Sequence, residues 1–462
     1  MDIGFETIGN ATLICHDRVP ILVTDPWVTG SAYFGSWTFS HLIPDEQMDA
    51  IRKCRYIWVS HGHPDHLSSK SMRMLDAKKV LLPDHVGRRI YNSLREQGYD
   101  VQILPDRTWV SLTDRIRVMC IADYNQDGIL LIDINGRLIA NLNDASHLHG
   151  WGSFVRKIIK DYPISFLLAL TGYGDADMIN LYTENGESIP PVAAQKKPVG
   201  KSISRLTQVF GTKYFIPFSA MHRYQRKDSI WANQYTTPLT AHAEGFQSDT
   251  CKLLPAYIRY DCAKDEWTPI NPPAREDAVY DPIEFGDDWN QDLDAEDVSK
   301  ITKYFKAISH LEKHFDFINF RVAKRDHIVE LAQNRFHRGI TFEAPRNSLM
   351  CSVENEIFDD MLIGNFVKTT LHGKFPPGGG GLYPEFTPYV AKYADNGLAK
   401  SEEEMRAYFK EYRQRASFDY LLHRLEKKSI DVFRSFVPMD NPVYEFAKRT
   451  WFVESLRKKL GA

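Results

Sequence analysis

Short apolar runs broken by turn residues fill the first 230 positions, and their spacing predicts strands alternating with helices. Ile8–Cys15, Val19–Asp25, Tyr56–Ser60, Lys79–Leu82 and Val101–Leu104 are apolar and rich in β-branched residues, as strands require. Ser68–Asp76 and Val86–Gln97 read as helices. Arg115–Ala122, Ile129–Ile134 and Leu138–Leu142 form a cluster of strands. Asn135-Gly136 lies between the last two, and both residue types accept the positive φ that a two-residue hairpin turn demands. A helix over Ser153–Lys160, a buried strand over Ile164–Leu170, a Gly- and Pro-bearing stretch at 171–200, a helix over Ser202–Phe210 and a strand over Tyr214–Phe218 follow. Such alternation predicts mixed sheets covered by helices, an α/β fold.

The pattern changes near residue 285. An acidic stretch from Asp287 to Asp297 leads into helical spacings at 297–315, 353–371, 400–427 and 441–459, with some strand near 316–350. Two domains are therefore expected: 1–285, and an α-rich C-terminal domain over 286–462. Phe358, Phe366, Tyr408, Phe418 and Tyr420 fall on these helices at positions that need a partner surface, so the second domain is expected to pack on the first. The segment Pro376–Gly381 lacks the Lys-Ser/Thr of a phosphate-binding loop and reads as a surface loop.

Composition narrows the function classes. The 462 residues carry 57 Lys plus Arg and 60 Asp plus Glu, and a net charge of −3 argues against a strongly basic nucleic-acid binder. No run of 18 apolar residues exists, so no membrane span is expected. An acid at position 2 is unlike a secretory signal, and a cytoplasmic location is expected. The six cysteines, Cys15, Cys54, Cys120, Cys251, Cys262 and Cys351, are scattered without a CxxC pair. That spacing suits buried thiols, not a disulfide framework, a zinc ribbon or an iron–sulfur cluster.

Polar residues that can bind metal stand where strands end: Asp25, His61, Asp144 and His222. Four such ends describe a site at one edge of a sheet core. The densest group is Ser60-His61-Gly62-His63-Pro64-Asp65-His66-Leu67-Ser68, with three histidines and a carboxylate in six residues. His61 and His63 alternate on a loop leaving a strand and can grip one ion. Asp65 and His66 open the next helix and can face a second. Imidazole nitrogen and carboxylate oxygen suit zinc, iron or manganese.

This His-x-His-x-Asp-His run resembles that of the metallo-β-lactamase fold. With Asp25-Pro26-Trp27-Val28-Thr29-Gly30-Ser31-Ala32-Tyr33-Phe34-Gly35, His41, Pro217-Phe218 and Asp360-Met361-Leu362-Ile363-Gly364, it is similar to the catalytic part of CMP-N-acetylneuraminate hydroxylase. The resemblance implies an αββα sandwich over about 1–285. It also implies two metal ions, with Asp144 bridging and His222 as the late-strand ligand. The histidine that the fold usually carries at its third motif is replaced here by Asp123, in Cys120-Ile121-Ala122-Asp123-Tyr124-Asn125. A carboxylate there hardens the site and favours iron or manganese over zinc, and the resemblance to fold members with an acid at this motif, which are di-iron, implies iron more than zinc or manganese. His147 or His149 is the alternative donor, and both can instead meet substrate. Asp25 is expected behind the ligand histidines or as a turn acid, and His41 along the pocket. Lys196, Lys197 and Lys201, with Tyr182, lie on the stretch expected over the site and would suit an anionic substrate.

Two functions compete. The first is a di-iron oxygenase that hydroxylates a small, anionic or nucleotide-linked molecule. The hydroxylase carries a Rieske domain with Cys-x-His and Cys-x-x-His pairs, which this sequence lacks, so a separate ferredoxin or reductase is expected as partner. The second is a hydrolase (phosphodiesterase, lactonase or thioesterase) in which the metals activate water and Asp65 or Asp144 orients it. The oxygenase ranks slightly ahead.

Overall fold

The computed structural model describes residues 1–75, 78–145, 150–173, 179–375, 382–383, 385–393, 396–422 and 424–425. His147, His149, the loop 376–381 and the expected helix at 441–459 lie outside them.

Two sheets face one another. One runs, in spatial order, Glu266–Pro269, Ile258–Asp261, Ile3–Ile8, Thr12–Asp17, Val19–Thr24, Tyr56–Trp58, Lys79–Leu82, Val101–Ile103. The other runs Lys252–Leu253, Tyr214–Phe218, Ser165–Leu170, Arg137–Asn143, Gly128–Ile134, Ile116–Ala122, Trp109–Ser111. Strand periodicity divides each buried strand between two cores. Leu130, Ile132 and Ile134 enter the core between the sheets, where they meet Phe5, Leu22, Trp58, Leu81 and Tyr260. Ile129 and Leu131 point the other way, to the layer holding Val155, Ile159 and Ile203. The outer face of the first sheet is covered by the helices Asp45–Lys53, Ser69–Met74 and Arg89–Glu96, through Ile51, Met72, Ile90 and Leu94. Helix, sheet, sheet, helix is the αββα order.

The expected hairpin is present: Ile134 pairs with Arg137, and Asn135 and Gly136 have φ of 50° and 80°. Ile8–Cys15 is two strands, not one. The chain turns at Gly9, φ 65°, and this turn aims Asn10 at the site.

Among the described residues, the C-terminal half holds helices Ala295–Lys306, Arg346–Asn355, Phe358–Ile363, Thr387–Val390 and Glu402–Arg415, and four strands. Its six-stranded sheet takes its two outermost strands on one side, Ser188–Ile189 and Leu181–Thr183, from the 171–200 stretch. Tyr182 is therefore in that sheet, with Lys368 Nζ 4.5 Å from its ring centre. The 353–371 spacing is not one helix. Glu356 at φ 60° ends the first, Asn365 at φ 56° follows the second, and the Thr-bearing Lys368–His372 is a strand. Phe358 is fully buried among Phe305, Phe342 and Phe386, and so fixes the short helix that carries Asp359 and Asp360.

Candidate metal centre

The floor of the site is a hydrogen-bonded knot of three strand ends. Asp25, at φ 39° after the strand Val19–Thr24, accepts from Ser60 N at 2.7 Å. Asn143 Nδ2, from the end of Arg137–Asn143, donates to Asp25 Oδ2 and to Ser60 Oγ, the latter at 2.8 Å. Burial raises the Asp25 carboxyl's pKa, against the pull of His66 and Ser60. Gly128 lies against this floor, where a Cβ would come 2.8 Å from Ser60 O.

On this floor the histidine loop stands over two acids. His66 Nε2 is 3.3 Å from Asp65 Oδ2 and 3.3 Å from Asp144 Oδ2, while its Nδ1 is 3.4 Å from Asp25 Oδ2. His61 Nε2 lies 3.9 Å from Asp144 Oδ2 and 2.9 Å from His63 Nδ1. His61, His66 and Asp144 offer ligand atoms within 4.8 Å of one another. Burial and then the neighbouring histidines push the His61 pKa well down, so it is neutral, the form that binds metal. Burial opposes charge on His66, but Asp65 and Asp144 outweigh it and push its pKa well up. Asp65 is held low: burial works against its charge, but His66, Tyr33 and His63 prevail. Its orientation is set by Tyr33 Oη, which donates to Oδ1 at 2.6 Å, and by Asn10 Nδ2, which donates to Oδ2 at 2.9 Å. Ser219 Oγ donates to Asp144 Oδ1.

A second group gathers around His63. Its Nε2 is 3.3 Å from Asp359 Oδ2, and His63, Asp359 and Asp360 also offer ligand atoms within 4.8 Å of one another. Burial disfavours charge on His63, but Asp359 first, then Asp360 and Asp65, lift its pKa to about 9. The carboxyl oxygens Oδ1 of Asp359 and Asp360 are buried without a hydrogen-bond partner.

The other expected residues are placed as follows. Asp123 is buried beside the centre; its Oδ1 accepts from Tyr124 N at 2.8 Å and its carbonyl from Tyr412 Oη at 2.7 Å. On the same loop Asp127 also approaches the histidines, with Oδ1 3.9 Å from His61 Nδ1. Burial, then Asp144 and Asp123, raise Asp127 to about 7. His222 lies in a short strand paired with Trp37–Phe39, its ring stacked on Trp37 at 3.4 Å and outside both ligand groups. His41 also stands apart, its Nδ1 2.9 Å from Ser40 Oγ and its ring edge-on to Tyr257.

Sequence reasoning missed Asn10, Asp127, Asp359 and His85. His85 Nε2 contacts Ser60 O at 2.9 Å, its Nδ1 is buried without a partner, and burial lowers its pKa to about 4. For Asp359 a signal existed: two adjacent acids interrupt the apolar run Ile357-Phe358-Asp359-Asp360-Met361-Leu362-Ile363.

His61, His63 and His66 stand among Asp25, Asp65, Asp127, Asp144, Asp359 and Asp360, a concentration of imidazole and carboxylate donors at one edge of the sheets. Buried carboxylates need a compensating partner, and the orphaned oxygens show where one is lacking. The residues present fit divalent cations. An αββα sandwich with a His-x-His-x-Asp-His loop at the strand ends decides the fold. It is the metallo-β-lactamase fold.

No family model matches this metallo-β-lactamase-fold chain. It is 28% identical over 134 residues to the cytidine monophosphate-N-acetylneuraminic acid hydroxylase of Danio rerio, a match spanning 27% of this chain and 23% of that protein. The hydroxylase of Asterias rubens is 28% identical over 139 residues, spanning 28% of this chain and 21% of that one. Among solved structures, a variant of the CmlA β-hydroxylase overlays with TM-score 0.37 at 12% identity, covering 58% of this chain and 54% of that one.

Proposed function

We propose that the chain is a dinuclear metalloenzyme that hydroxylates a small anionic molecule with dioxygen, with iron preferred over zinc or manganese. The observation that carries this reading is the donor set: His61, His63 and His66 among Asp65, Asp127, Asp144, Asp359 and Asp360, with none of the six cysteines in either ligand group. A carboxylate-rich, thiolate-free set suits iron better than zinc. His61, His66 and Asp144 would hold one ion. Asp65 is the acid whose orientation is fixed by Tyr33 and Asn10, so it would keep its oxygen on the same side as the histidines. Asp123, beside Asp127, adds negative charge at the position where an imidazole would be neutral. When bound, iron would supply dioxygen activation.

The rest of the chemistry falls to the chain itself. Asp25, Asn143 and Ser60 hold the His66 ring in place. The C-terminal half lies against the loop, with the Tyr393 ring on Gly62. The likeness to the hydroxylases supports a nucleotide-linked sugar acid as the class of substrate. The electrons would come from a redox centre outside these 462 residues, since the sequence offers no CxxC pair or G-x-G-x-x-G fingerprint to carry them.

The test is metal analysis of gently purified protein, then turnover of CMP-linked sugar acids with and without oxygen. Iron above zinc, and labelled oxygen entering the product only when oxygen and a reductant are both supplied, is the expected result. Turnover under strict anaerobiosis, or full activity with zinc, overturns the oxygenase and leaves a hydrolase. Asp123→His is expected to shift metal preference toward zinc.

A further inference from the structure

We propose that the C-terminal helix Glu402–Arg415 is a clasp that sets the position of the Asp123–Asp127 loop beside the site, with Gln126, Tyr408 and Tyr412 as its positioning residues. The inference rests on the proposed function only in that Asp127 of this loop faces His61; the clasp itself consists of hydrogen bonds within the chain.

The loop joins the strands Ile116–Ala122 and Gly128–Ile134. Asp123 N donates to Asp127 O at 2.9 Å, and Gln126 N donates to Asp123 O at 3.1 Å. Gln126 has φ of 69°, a left-handed conformation that a residue with a side chain adopts at a cost. These bonds shape the turn but do not fix where it stands over the site. The Gln126 side chain does that. It is 3% exposed and both ends of its amide are engaged. Oε1 accepts from Arg89 Nη2 at 3.2 Å, while Nε2 donates to Tyr408 Oη at 2.9 Å and to Tyr412 Oη at 3.3 Å. Each phenol then donates to the main chain of the same loop, Tyr412 Oη to Asp123 O at 2.7 Å and Tyr408 Oη to Tyr124 O.

Donors and acceptors agree along the whole run. Arg89 can only donate, Gln126 accepts at one end and donates from the other, and each hydroxyl accepts one hydrogen and gives its own. A run that starts at a guanidinium is polarised from bond to bond. A packing contact between the two halves would not need it. The rings of Tyr408 and Tyr412 already pack with Val86, and phenylalanine would fill that role. The hydroxyls reach main-chain carbonyls instead, so they determine the backbone path of the loop. Tyr408 and Tyr412 are four residues apart, which puts both on one face of the helix. The helix is tied down on either side of the loop: Arg415 donates to Asp84 O, and Arg89 Nη1 donates to Gly397 O at 2.7 Å, where the Tyr408 ring leaves no room for a Cβ. Tyr412 lies 289 residues beyond Asp123. A distant helix thus decides that Asp127 Oδ1 stands 3.9 Å from His61 Nδ1.

The experiment compares full-length wild type with the double variant Tyr408→Phe and Tyr412→Phe. It reads amide hydrogen exchange of the metal-free proteins, then the cobalt(II) absorption spectrum and affinity of each. Phenylalanine keeps the ring packing and removes only the hydroxyls. At least about tenfold faster exchange is expected at residues 123–127, the scale of a hydrogen bond lost from a buried carbonyl, with exchange in the helix 402–415 unchanged. The cobalt(II) ligand-field bands should shift and affinity should fall, because the acids of the loop no longer hold their place. Unchanged exchange at 123–127 overturns the clasp and leaves the proposed function standing. Faster exchange there with cobalt(II) bands and affinity equal to those of wild type identifies a contact without bearing on the site, and also overturns the inference. Wild type that takes up no cobalt(II) overturns the proposed function instead, and exchange at 123–127 then decides the clasp by itself. Should the double variant fail to fold, or its helix exchange as fast as the loop, Tyr412→Phe alone decides by the same readouts, since Tyr408 still holds the helix.

Discussion

The ring of Tyr393 lies on Gly62, so close that a Cβ at Gly62 would come 2.4 Å from the Tyr393 Cγ. One residue belongs to the C-terminal half and the other sits between the two loop histidines, His61 and His63. The C-terminal half is thereby in contact with the metal-binding loop at its centre, and only glycine leaves room for it.

Gly62→Ala should force ring and loop apart. We expect a loss of about 1–3 kcal/mol in stability, the usual range for an overpacked contact, together with weaker metal retention. Adding Tyr393→Leu should restore both by vacating the space. Melting temperature and metal content after dialysis measure this. A single variant equal to wild type in both would show that Tyr393 does not clamp the loop.

Acid should weaken the first sheet through Glu6. This carboxylate is 2% exposed and takes hydrogen bonds from Gln47 Nε2 at 3.0 Å and Arg259 Nε at 2.7 Å, with His16 Nε2 at 2.9 Å. Burial opposes its charge, but these partners prevail and hold its pKa at about 2, below the ordinary value of 4.5. A depressed pKa contributes stability that is complete above the unfolded-state value and lost as pH falls through the folded one. The contribution should therefore fade between about pH 4.5 and 2, by up to roughly 3 kcal/mol. Urea melts of wild type and Glu6→Gln across this range check it. The two curves should converge toward pH 2; parallel curves would count against Glu6.

We expect no stable fragment ending near residue 285. Arg226 is fully buried and pairs with Asp228 at 2.8 Å and Asp287 at 2.7 Å; Asp287 also accepts from Ser348 N and Oγ at 2.9 and 2.6 Å. Removing Asp287 leaves a buried cation short of a partner, a loss of about 3–5 kcal/mol. Residues 181–189 would also lose the sheet they complete. Limited proteolysis followed by mass spectrometry should find both halves degraded together. A stable, metal-loaded 1–285 fragment would contradict this.

Local pattern fixed much of this protein before any coordinates. Apolar runs bounded by turn residues marked Arg115–Ala122, Ile129–Ile134 and Leu138–Leu142 as strands, and Asn135-Gly136 marked the hairpin between the last two, because turn chemistry is a property of neighbouring residues. The histidine loop was equally plain, since its four donors lie within six positions. What the sequence could not show were pairings between distant segments. Asn10, at the site only because the chain turns at Gly9, meets Asp65 across the fold. Asp127, read from the sequence only as a turn residue, comes within 3.9 Å of His61. Residues 181–189 leave their own neighbourhood to complete the C-terminal sheet. Asp359 and Asp360 reach His63 because packing of Phe358 in an aromatic core decides where that short helix ends. Local chemistry specifies which residues can bind a metal; the burial of apolar surface far away in the chain decides which of them meet.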